Sequence, residues 1–150
     1  MPFHEKALLV PYSPEEMFDL VVDVERYPEF VPGYREVTIV RREPACLYTL
    51  QAVGLGAVQA RFHSVAGLER PRRIRIHAEE SPFDLLEIEW LFEPVPEGCR
   101  INFRADAHLA EGLTARLLQP WFERLAESIP PAFVARARKL YGQRVGPGPR

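Results

Sequence analysis

The stretch Leu113–Tyr141 places the strongest constraint on how this chain folds. Its bulky apolar residues recur every three or four positions, the spacing that aligns side chains on one face of a helix. Charged residues occupy the positions between them and predict a solvent-facing side. A continuous helix of this length would extend about 40 Å and would need a large apolar surface to pack against. The apolar stripe consists of Leu117, Leu118, Trp121, Phe122, Leu125, Ile129 and Phe133.

Three prolines interrupt this helical pattern. Pro120, Pro130 and Pro131 all lie inside the stretch. A proline inside a helix removes a backbone hydrogen bond and clashes with the preceding turn. We therefore expect kinks, or a break of the helix into two pieces.

The overall composition is that of one globular domain. The chain has 150 residues, of which 47% are hydrophobic, and a net charge of -2. This length suits a single core, and the mixed charges favour no DNA partner. No run reaches the roughly 20 apolar residues that span a bilayer, and residues 1–10 lack the pattern of a signal peptide. We expect a cytoplasmic protein whose membrane contacts, if any, are transient, with Cys46 and Cys99 as reduced thiols.

The residues ahead of the long helix begin with a strand and two short helices. Phe3–Val10 is apolar and ends at a proline, as an edge strand does. Ser13 and Glu16 then form a capping-box pattern with Pro14 at the first helical position. This pattern predicts a helix up to about residue 25, and a second short helix follows around Phe30.

From residue 36 onward the hydrophobic period changes from helical to two. Apolar and polar residues alternate in successive segments joined by short turns, which predicts an antiparallel meander with one apolar face. Arg73 and Arg75 are expected to oppose Glu87 and Glu89 on the outer face. The predicted strands are residues 37–41, 46–53, 57–65, 73–78, 86–92 and 101–109.

Three blocks of the sequence resemble one protein family. They are VPYSPEEMFDLVVDVERYPEFVPG at residues 10–33, SPFDLLEIEWLFEPV at 81–95 and FERLAESIPPAFVARARKLY at 122–141. The chain resembles the coenzyme Q-binding START-domain proteins, which include bacterial ribosome-association toxins. This group belongs to the polyketide cyclase/dehydrase and lipid transport (Bet v 1-like) superfamily.

The resemblance implies an α+β helix-grip fold. In this fold a curved antiparallel sheet of about seven strands surrounds a long carboxy-terminal helix, with an apolar cavity between them. We expect one such domain over residues 1–144 and a disordered tail over the glycine- and proline-rich residues 145–150. Two departures from the family bear on the cavity. Ile88 replaces the small residue usual there, which predicts a smaller cavity, and Tyr34 replaces a common cysteine at the rim.

The aromatic and aliphatic residues of the apolar sheet face and the helix stripe are the candidate ligand contacts. An apolar ligand between sheet and helix is stabilised by loss of its contact with water. Trp90 and Tyr48 also carry polar groups that would suit a ligand carbonyl or hydroxyl. The predicted contacts are Phe30, Tyr48, Phe62, Ile76, Ile88, Trp90, Phe103, Leu117, Leu118, Trp121, Phe122, Leu125 and Ile129.

Three functions remain open at this level. The leading hypothesis is non-catalytic binding of a hydrophobic small molecule, either a prenylated quinone or another lipid, with no required cofactor. The second is association with a ribosomal subunit through surface arginines such as Arg136 and Arg138. The third is a polyketide aromatase or cyclase, which would need a polar group inside the cavity.

The sequence offers little support for catalysis or metal binding. His4, His63, His77 and His108 alternate with apolar neighbours and are predicted to face solvent. No nucleophile motif, metal-binding motif or phosphate-binding glycine loop is present. The predicted cavity therefore contains almost no titratable group, which favours a binding protein over an enzyme.

Overall fold

The computed structural model contains one seven-stranded antiparallel sheet and a long helix. It describes residues 3–142 except for the side chains of Phe3, Leu125 and Ala126. The predicted tail at 145–150, the domain boundary at 144 and the predicted ligand contact Leu125 fall outside this described part. The strand order is β1-β7-β6-β5-β4-β3-β2, so β1 and β2 are the edges. The elements are β1 Phe3–Val10, α1 Pro14–Val22, a 3-10 helix at Val24–Glu29, β2 Tyr34–Glu43, β3 Cys46–Leu55, β4 Val58–Glu69, β5 Arg73–Ala78, β6 Phe83–Val95, β7 Gly98–Leu109 and α2 Leu113–Tyr141.

This element order confirms the predicted architecture of one strand, two short helices, six strands and one long helix. Several strands are longer than predicted. For example, Phe83 was expected in a turn, but it already pairs with Leu109 at the start of β6. Ser81 and Pro82 correctly locate the turn between β5 and β6, but the hydrogen bonds between β6 and β7 decide at which residue β6 begins.

The helix α2 is continuous from Leu113 to Tyr141, so the predicted break into two pieces is wrong. The prolines remove backbone donors, but the helix on both sides of them is held against the sheet. Ile129 and Phe133 are 6% and 2% exposed and flank the two adjacent prolines. Burial of such side chains outweighs the local loss of backbone hydrogen bonds.

The two ends of α2 are held differently. At the carboxyl end, the Tyr12 hydroxyl donates to the Gly142 carbonyl at 2.8 Å, and the Tyr141 hydroxyl donates to the Glu16 carbonyl at 3.1 Å. At the amino end, Leu113 is 69% exposed. The carboxyl half of α2 is therefore fixed to β1 and α1.

The outer face of the sheet carries the expected charge pairs in part. Arg75 lies directly opposite Glu89, and an Arg73 guanidinium nitrogen lies 3.5 Å from the same carboxylate. Glu87, however, opposes His77 rather than an arginine. Both cysteines are free thiols, and burial raises the pKa of Cys99 to about 12.

Ser13 begins α1 with the capping box that the sequence predicts. Its hydroxyl accepts from the Glu16 amide at 3.0 Å, and its own amide donates to the Glu16 carboxylate at 2.9 Å. Both groups would otherwise lack a helical partner.

We expect Ser13→Ala to lower the free energy of unfolding by about 1 kcal/mol, because it leaves the Glu16 amide without its acceptor. Urea denaturation measures the change. Ser128→Ala is the matched control, since the Ser128 hydroxyl only donates to the Arg124 carbonyl inside a formed helix. Equal losses in the two variants would contradict the capping role.

Candidate ligand-binding site

Two small cavities lie on the inner face of the sheet. The first, which we name the helix cavity, has a volume of about 40 Å³ and lies between the sheet and α2. The second, the sheet cavity, has a volume of about 20 Å³ and lies between the sheet and the segment of α1 and the 3-10 helix. Their volumes are those of one or a few water molecules, whereas pockets for drug-sized ligands usually measure about 300 to 1,000 Å³.

The helix cavity is mostly aromatic and aliphatic. Phe83 is one of its lining residues, with its ring 5.0 Å from that of Phe62 and 4.8 Å from that of Phe122, measured between centroids. The edge-to-face or tilted arrangement of these rings is favourable and keeps them from closing the space completely. The other lining residues are His4, Tyr34, Val53, Leu86, Ile88, Ala105, Ala107, Trp121 and Ile129.

Three side chains separate the two cavities, because Tyr34, Leu86 and Ile88 line both of them. Ile88 projects from the middle of β6 and is 9% exposed. The sequence predicted that this bulky residue would reduce the cavity. Its position between the two volumes agrees with that prediction.

Trp121 closes the helix cavity against the rim, which we define as residues 24–34. Its indole N–H donates to the Pro32 carbonyl at 3.2 Å. The ring also lies directly on Gly33, where an added Cβ would be 2.2 Å from the indole nitrogen. Gly33 has φ of +86°, which favours glycine as well. The fit of Trp121 onto Gly33 therefore depends on the missing side chain.

A second contact joins the rim to α2. The Arg136 guanidinium donates to the Glu29 carboxylate at 2.6 Å and lies 5.0 Å from the centre of the Phe30 ring. Hydrogen bonds from Arg26 and Arg136 lower the pKa of Glu29, so this carboxylate stays charged. Arg136 is thus engaged in packing, with its side chain only 10% exposed.

Several predicted contacts do line a cavity. Phe62, Trp121, Phe122 and Ile129 border the helix cavity, Ile76 borders the sheet cavity, and Ile88 borders both. All come from the apolar sheet face or from the helix stripe. The period-two and helical patterns therefore identified these positions.

Trp90 and Phe103 do not line either cavity. The Trp90 ring packs at 4.8 Å from Phe103 and at 5.1 Å from Phe133, and all three residues are at most 2% exposed. Leu118 is fully buried and also lies outside the linings. Trp90 and Phe103 form solid core with Phe133, and Leu118 is buried separately near the amino end of α2.

Three further predicted contacts face away from the cavities. Tyr48 lies on the outer side of β3, where Arg41 covers its ring at 5.3 Å. Leu117 is 48% exposed on α2, one residue away from the buried Leu118. Phe30 packs on Phe133 at 4.9 Å from the rim side. A shift of one residue changes the face of a strand or rotates a helix position by about 100°.

The sequence reasoning missed Phe83, Leu86, Tyr34 and His4. His4 was predicted to face solvent, but it pairs with Ala105 and lines the helix cavity. It shares a strand face with the buried Val10, so the period of two counted back from Val10 would have found it. The expectation of a cavity almost free of titratable groups is therefore wrong for His4 and Tyr34.

Tyr34 contributes a neutral phenol to both cavities. Burial raises its pKa to about 12, so the hydroxyl remains protonated at physiological pH. Its ring lies 5.5 Å from Tyr27 and 6.4 Å from Trp121, edge to face in both cases. Tyr34 thus offers a hydrogen-bond donor in apolar surroundings.

The inner face also carries one buried polar group of side chains, formed by Thr49, Gln51 and Ser64. They hydrogen-bond with one another and border the sheet cavity. Residues 3–142 include no set of three or more His, Cys, Asp or Glu side chains suited to a metal ion. Within the same range, no helix has both the length and the apolar character needed to cross a bilayer.

Comparison with known proteins identifies the family. A model described as "Polyketide cyclase / dehydrase and lipid transport" matches residues 10–134. The chain belongs to this family. The segment includes every element from α1 to most of α2, so it contains all lining residues of the two cavities except His4.

Individual relatives span nearly the whole chain. The ribosome association toxin RatA of Escherichia coli K12 is 32% identical over 145 residues, which are 96% of this chain and 92% of the relative. The mitochondrial coenzyme Q-binding protein COQ10 of Drosophila melanogaster is 23% identical over 93% of this chain and 60% of its own length. Among solved structures, a STAR-related lipid transfer protein from Xanthomonas axonopodis has a TM-score of 0.76 at 9% identity, covering 91% of this chain and 85% of that one. This structure shows the same START-like helix-grip fold that the sequence predicts.

The position of Ile88 allows a direct test of the cavity geometry. We expect Ile88→Ala to join the two cavities and to create a site for a small apolar probe such as benzene, at a cost of about 2 to 4 kcal/mol in unfolding free energy. Benzene-induced chemical shift changes in NMR spectra, together with urea denaturation, measure both effects.

Ile101→Ala is the control, because Ile101 is equally buried but lines neither cavity. It should lose similar stability without gaining the same benzene site. Benzene binding that is absent in Ile88→Ala, or equal in both variants, would contradict the proposed partition.

Proposed function

We propose that this protein binds a hydrophobic small molecule, a prenylated quinone or another lipid, between the sheet and the amino half of α2. The observation that carries the proposal is the apolar helix cavity, which is closed by Trp121 and bordered by Phe62, Phe83 and Phe122. The chain's membership of a family whose description includes lipid transport supports this proposal. The relative named as a coenzyme Q-binding protein makes a quinone the first candidate.

Because the helix cavity measures only about 40 Å³, the proposal requires the site to open before a ligand binds. A lipid needs several hundred cubic ångströms, so the roof of the helix cavity must move outward before a lipid fits. The amino half of α2 is the part suited to this motion, because Leu113 and Leu117 are exposed and Pro120 interrupts its hydrogen bonds. The carboxyl half stays in place through Tyr12, Tyr141 and the packing of Phe133.

The energetics allow such an opening. A ligand that buries about 300 Å² of apolar surface contributes roughly 7 kcal/mol at 25 cal/mol per Å². Opening loses the hydrogen bond from Trp121 to Pro32 and part of the contact between Phe83 and Phe122. The net affinity is the difference between these terms, so tight binding requires a ligand large enough to replace the lost contacts.

The proposed ligand contacts are the predicted residues that border a cavity, together with those that the sequence missed. Trp90 and Phe103 serve instead as the rigid base of the site, whereas Leu118 is buried on the amino half of α2, which forms the roof. Tyr48 and Leu117 have no proposed role in binding. The contacts are Tyr34, Phe62, Ile76, Phe83, Leu86, Ile88, Trp121, Phe122 and Ile129.

A short-chain ubiquinone should quench the tryptophan fluorescence of the protein, mainly through Trp121, because that ring borders the helix cavity and Trp90 does not. Titrations of the wild type, Trp121→Phe and Trp90→Phe measure the effect. We expect saturable quenching in the wild type and in Trp90→Phe, and loss of most of the signal change in Trp121→Phe.

Solvent extraction of the purified protein, followed by mass spectrometry, tests for lipids in general. The binding proposal fails if no quinone or lipid quenches the fluorescence and none is recovered in the extract.

A second candidate function is association with the ribosome, which the similarity to a toxin named for this property favours. It would place the protein in the cytoplasm, as the sequence predicts. The surface arginines offer limited support. Arg70 is paired with Asp19, Arg73 with Glu69, and Arg136 is buried against Glu29. Arg138 and Lys139, both exposed near the end of α2, remain as the candidate phosphate contacts.

Replacement of Arg138 and Lys139 by glutamate should abolish salt-sensitive cosedimentation with ribosomal subunits, because phosphate contacts require positive charge. Arg42 and Arg72 are also exposed, and their replacement by glutamate gives a control with the same charge change at another surface. Unchanged cosedimentation in the Arg138 and Lys139 variant, or equal loss in the control, would remove this surface as the contact.

A further inference from the structure

The buried polar group formed by Thr49, Gln51 and Ser64, which we name the inner polar cluster, is unusual for the inner face of this sheet. Thr49 and Ser64 are direct partners across β3 and β4, and their hydroxyl oxygens are 2.8 Å apart. Gln51 lies two residues further along β3 on the same face. Its amide nitrogen is 3.1 Å from the Thr49 hydroxyl and 2.8 Å from the Ser64 hydroxyl.

The hydrogen bonding of this cluster is incomplete. The Gln51 side-chain oxygen Oε1 is buried and has no partner among the described residues, although Gln51 is only 7% exposed. In the contact between the two hydroxyls one donates and the other accepts, so the accepting hydroxyl keeps its own hydrogen for another partner. The cluster therefore presents one open acceptor and one open donor. Buried polar groups are nearly always paired, so the unpaired Gln51 side-chain oxygen favours binding of a polar group at this place.

The cluster borders the sheet cavity, and that cavity contains no charged side chain. Its lining is otherwise made of aliphatic residues and the tyrosines Tyr27 and Tyr34. Burial of an ionised group without a counter-charge is strongly unfavourable. A carboxylate or phosphate is thus a poor partner for the cluster, whereas an uncharged polar group is a good one.

A route from the helix cavity to the cluster exists in outline. Tyr34, Leu86 and Ile88 border both cavities, so a ligand lying under α2 needs to displace only these side chains to reach the cluster. The sheet cavity has room for a single hydroxyl-sized group at about 20 Å³. The body of the ligand would stay against the aromatic residues of the helix cavity.

We propose that the inner polar cluster recognises an uncharged hydroxyl group on the ligand. The ligand hydroxyl donates to the Gln51 side-chain oxygen and accepts from the free hydroxyl hydrogen of Thr49 or Ser64. This inference rests on the proposed lipid-binding function and changes the first candidate from a quinone to its hydroquinone or another lipid that carries a hydroxyl group. The protein prefers phenols, hydroquinones and alcohols over ethers or quinones of the same shape, since only the former carry a donor.

Isothermal titration calorimetry with para-pentylphenol and its methyl ether tests the preference, because methylation removes the donor and keeps the rest of the probe. We expect the wild type to bind the phenol about tenfold or more tightly than the ether. In Gln51→Met, which keeps the length of the side chain without an acceptor, the ratio should fall to about twofold. Tyr48→Phe is the control on the outer side of the same strand and should retain the wild-type ratio.

Urea denaturation of Gln51→Met separates recognition from a structural role. The variant also loses the two hydrogen bonds that the Gln51 amide nitrogen donates to Thr49 and Ser64, so it should unfold at a lower urea concentration than the wild type and still be fully folded without urea. If Gln51→Met does not fold, Thr49→Val provides the same test, because it removes a hydroxyl and keeps the shape; it should also reduce the ratio.

Each result decides between the two proposals. Equal affinities of the wild type for the phenol and the ether would overturn the hydroxyl inference and leave the lipid-binding function in place. A wild-type ratio that persists in Gln51→Met would show that another group reads the hydroxyl and would also overturn it. If neither probe binds and the quinone titration is silent as well, both proposals fail.

Discussion

The packing of the carboxyl half of α2 on the centre of the sheet is the interaction on which the rest of the structure depends. Phe133 inserts its ring beside Trp90, which in turn packs against Phe103. The rim joins the same cluster, because Tyr27 lies 5.2 Å and Phe30 lies 4.9 Å from the Phe133 ring. Aromatic pairs of this kind bury large apolar areas in defined geometry. One residue of α2 therefore fixes the helix, the sheet and the rim relative to one another.

The site is a consequence of this unequal packing. A straight helix on a curved sheet cannot stay in full contact along its whole length, and here the gap falls under the amino half of α2. The gap is small because Phe83, Trp121 and Phe122 turn into it. In the proposed opening, the carboxyl half of α2 stays in place and the amino half moves, which would let the protein enclose an apolar guest and release it. The family described by lipid transport fits this division of the molecule.

The candidate site could be predicted in part, and the errors have different causes. Period-two and helical spacing assign each residue to a face, and that was enough for Phe62, Ile88, Trp121 and Phe122. Whether an inward residue lines a cavity or packs solidly depends on the local distance between helix and sheet, so Trp90 and Phe103 were assigned to the correct face although neither borders a cavity. His4 was missed although the period of two counted back from the buried Val10 places it on the inner face, as its pairing with Ala105 shows. Gln51 was not singled out because a polar residue in a strand normally indicates the solvent-exposed face, whereas Gln51 is buried on the inner face.

The sequence by itself determined the order of the elements, the capping box of α1, the apolar face of the meander and the amphipathic helix, because these follow from local spacing and local hydrogen bonds. Only the tertiary structure decided that α2 stays continuous through three prolines, since burial of Ile129 and Phe133 outweighs the lost backbone bonds. It also decided that Arg136 is buried against Glu29, a contact between residues far apart in the chain. The size of the space under α2 belongs to the same class. It depends on how closely the apolar face of the sheet and the apolar face of α2 fit together, and no local pattern in the chain encodes that fit.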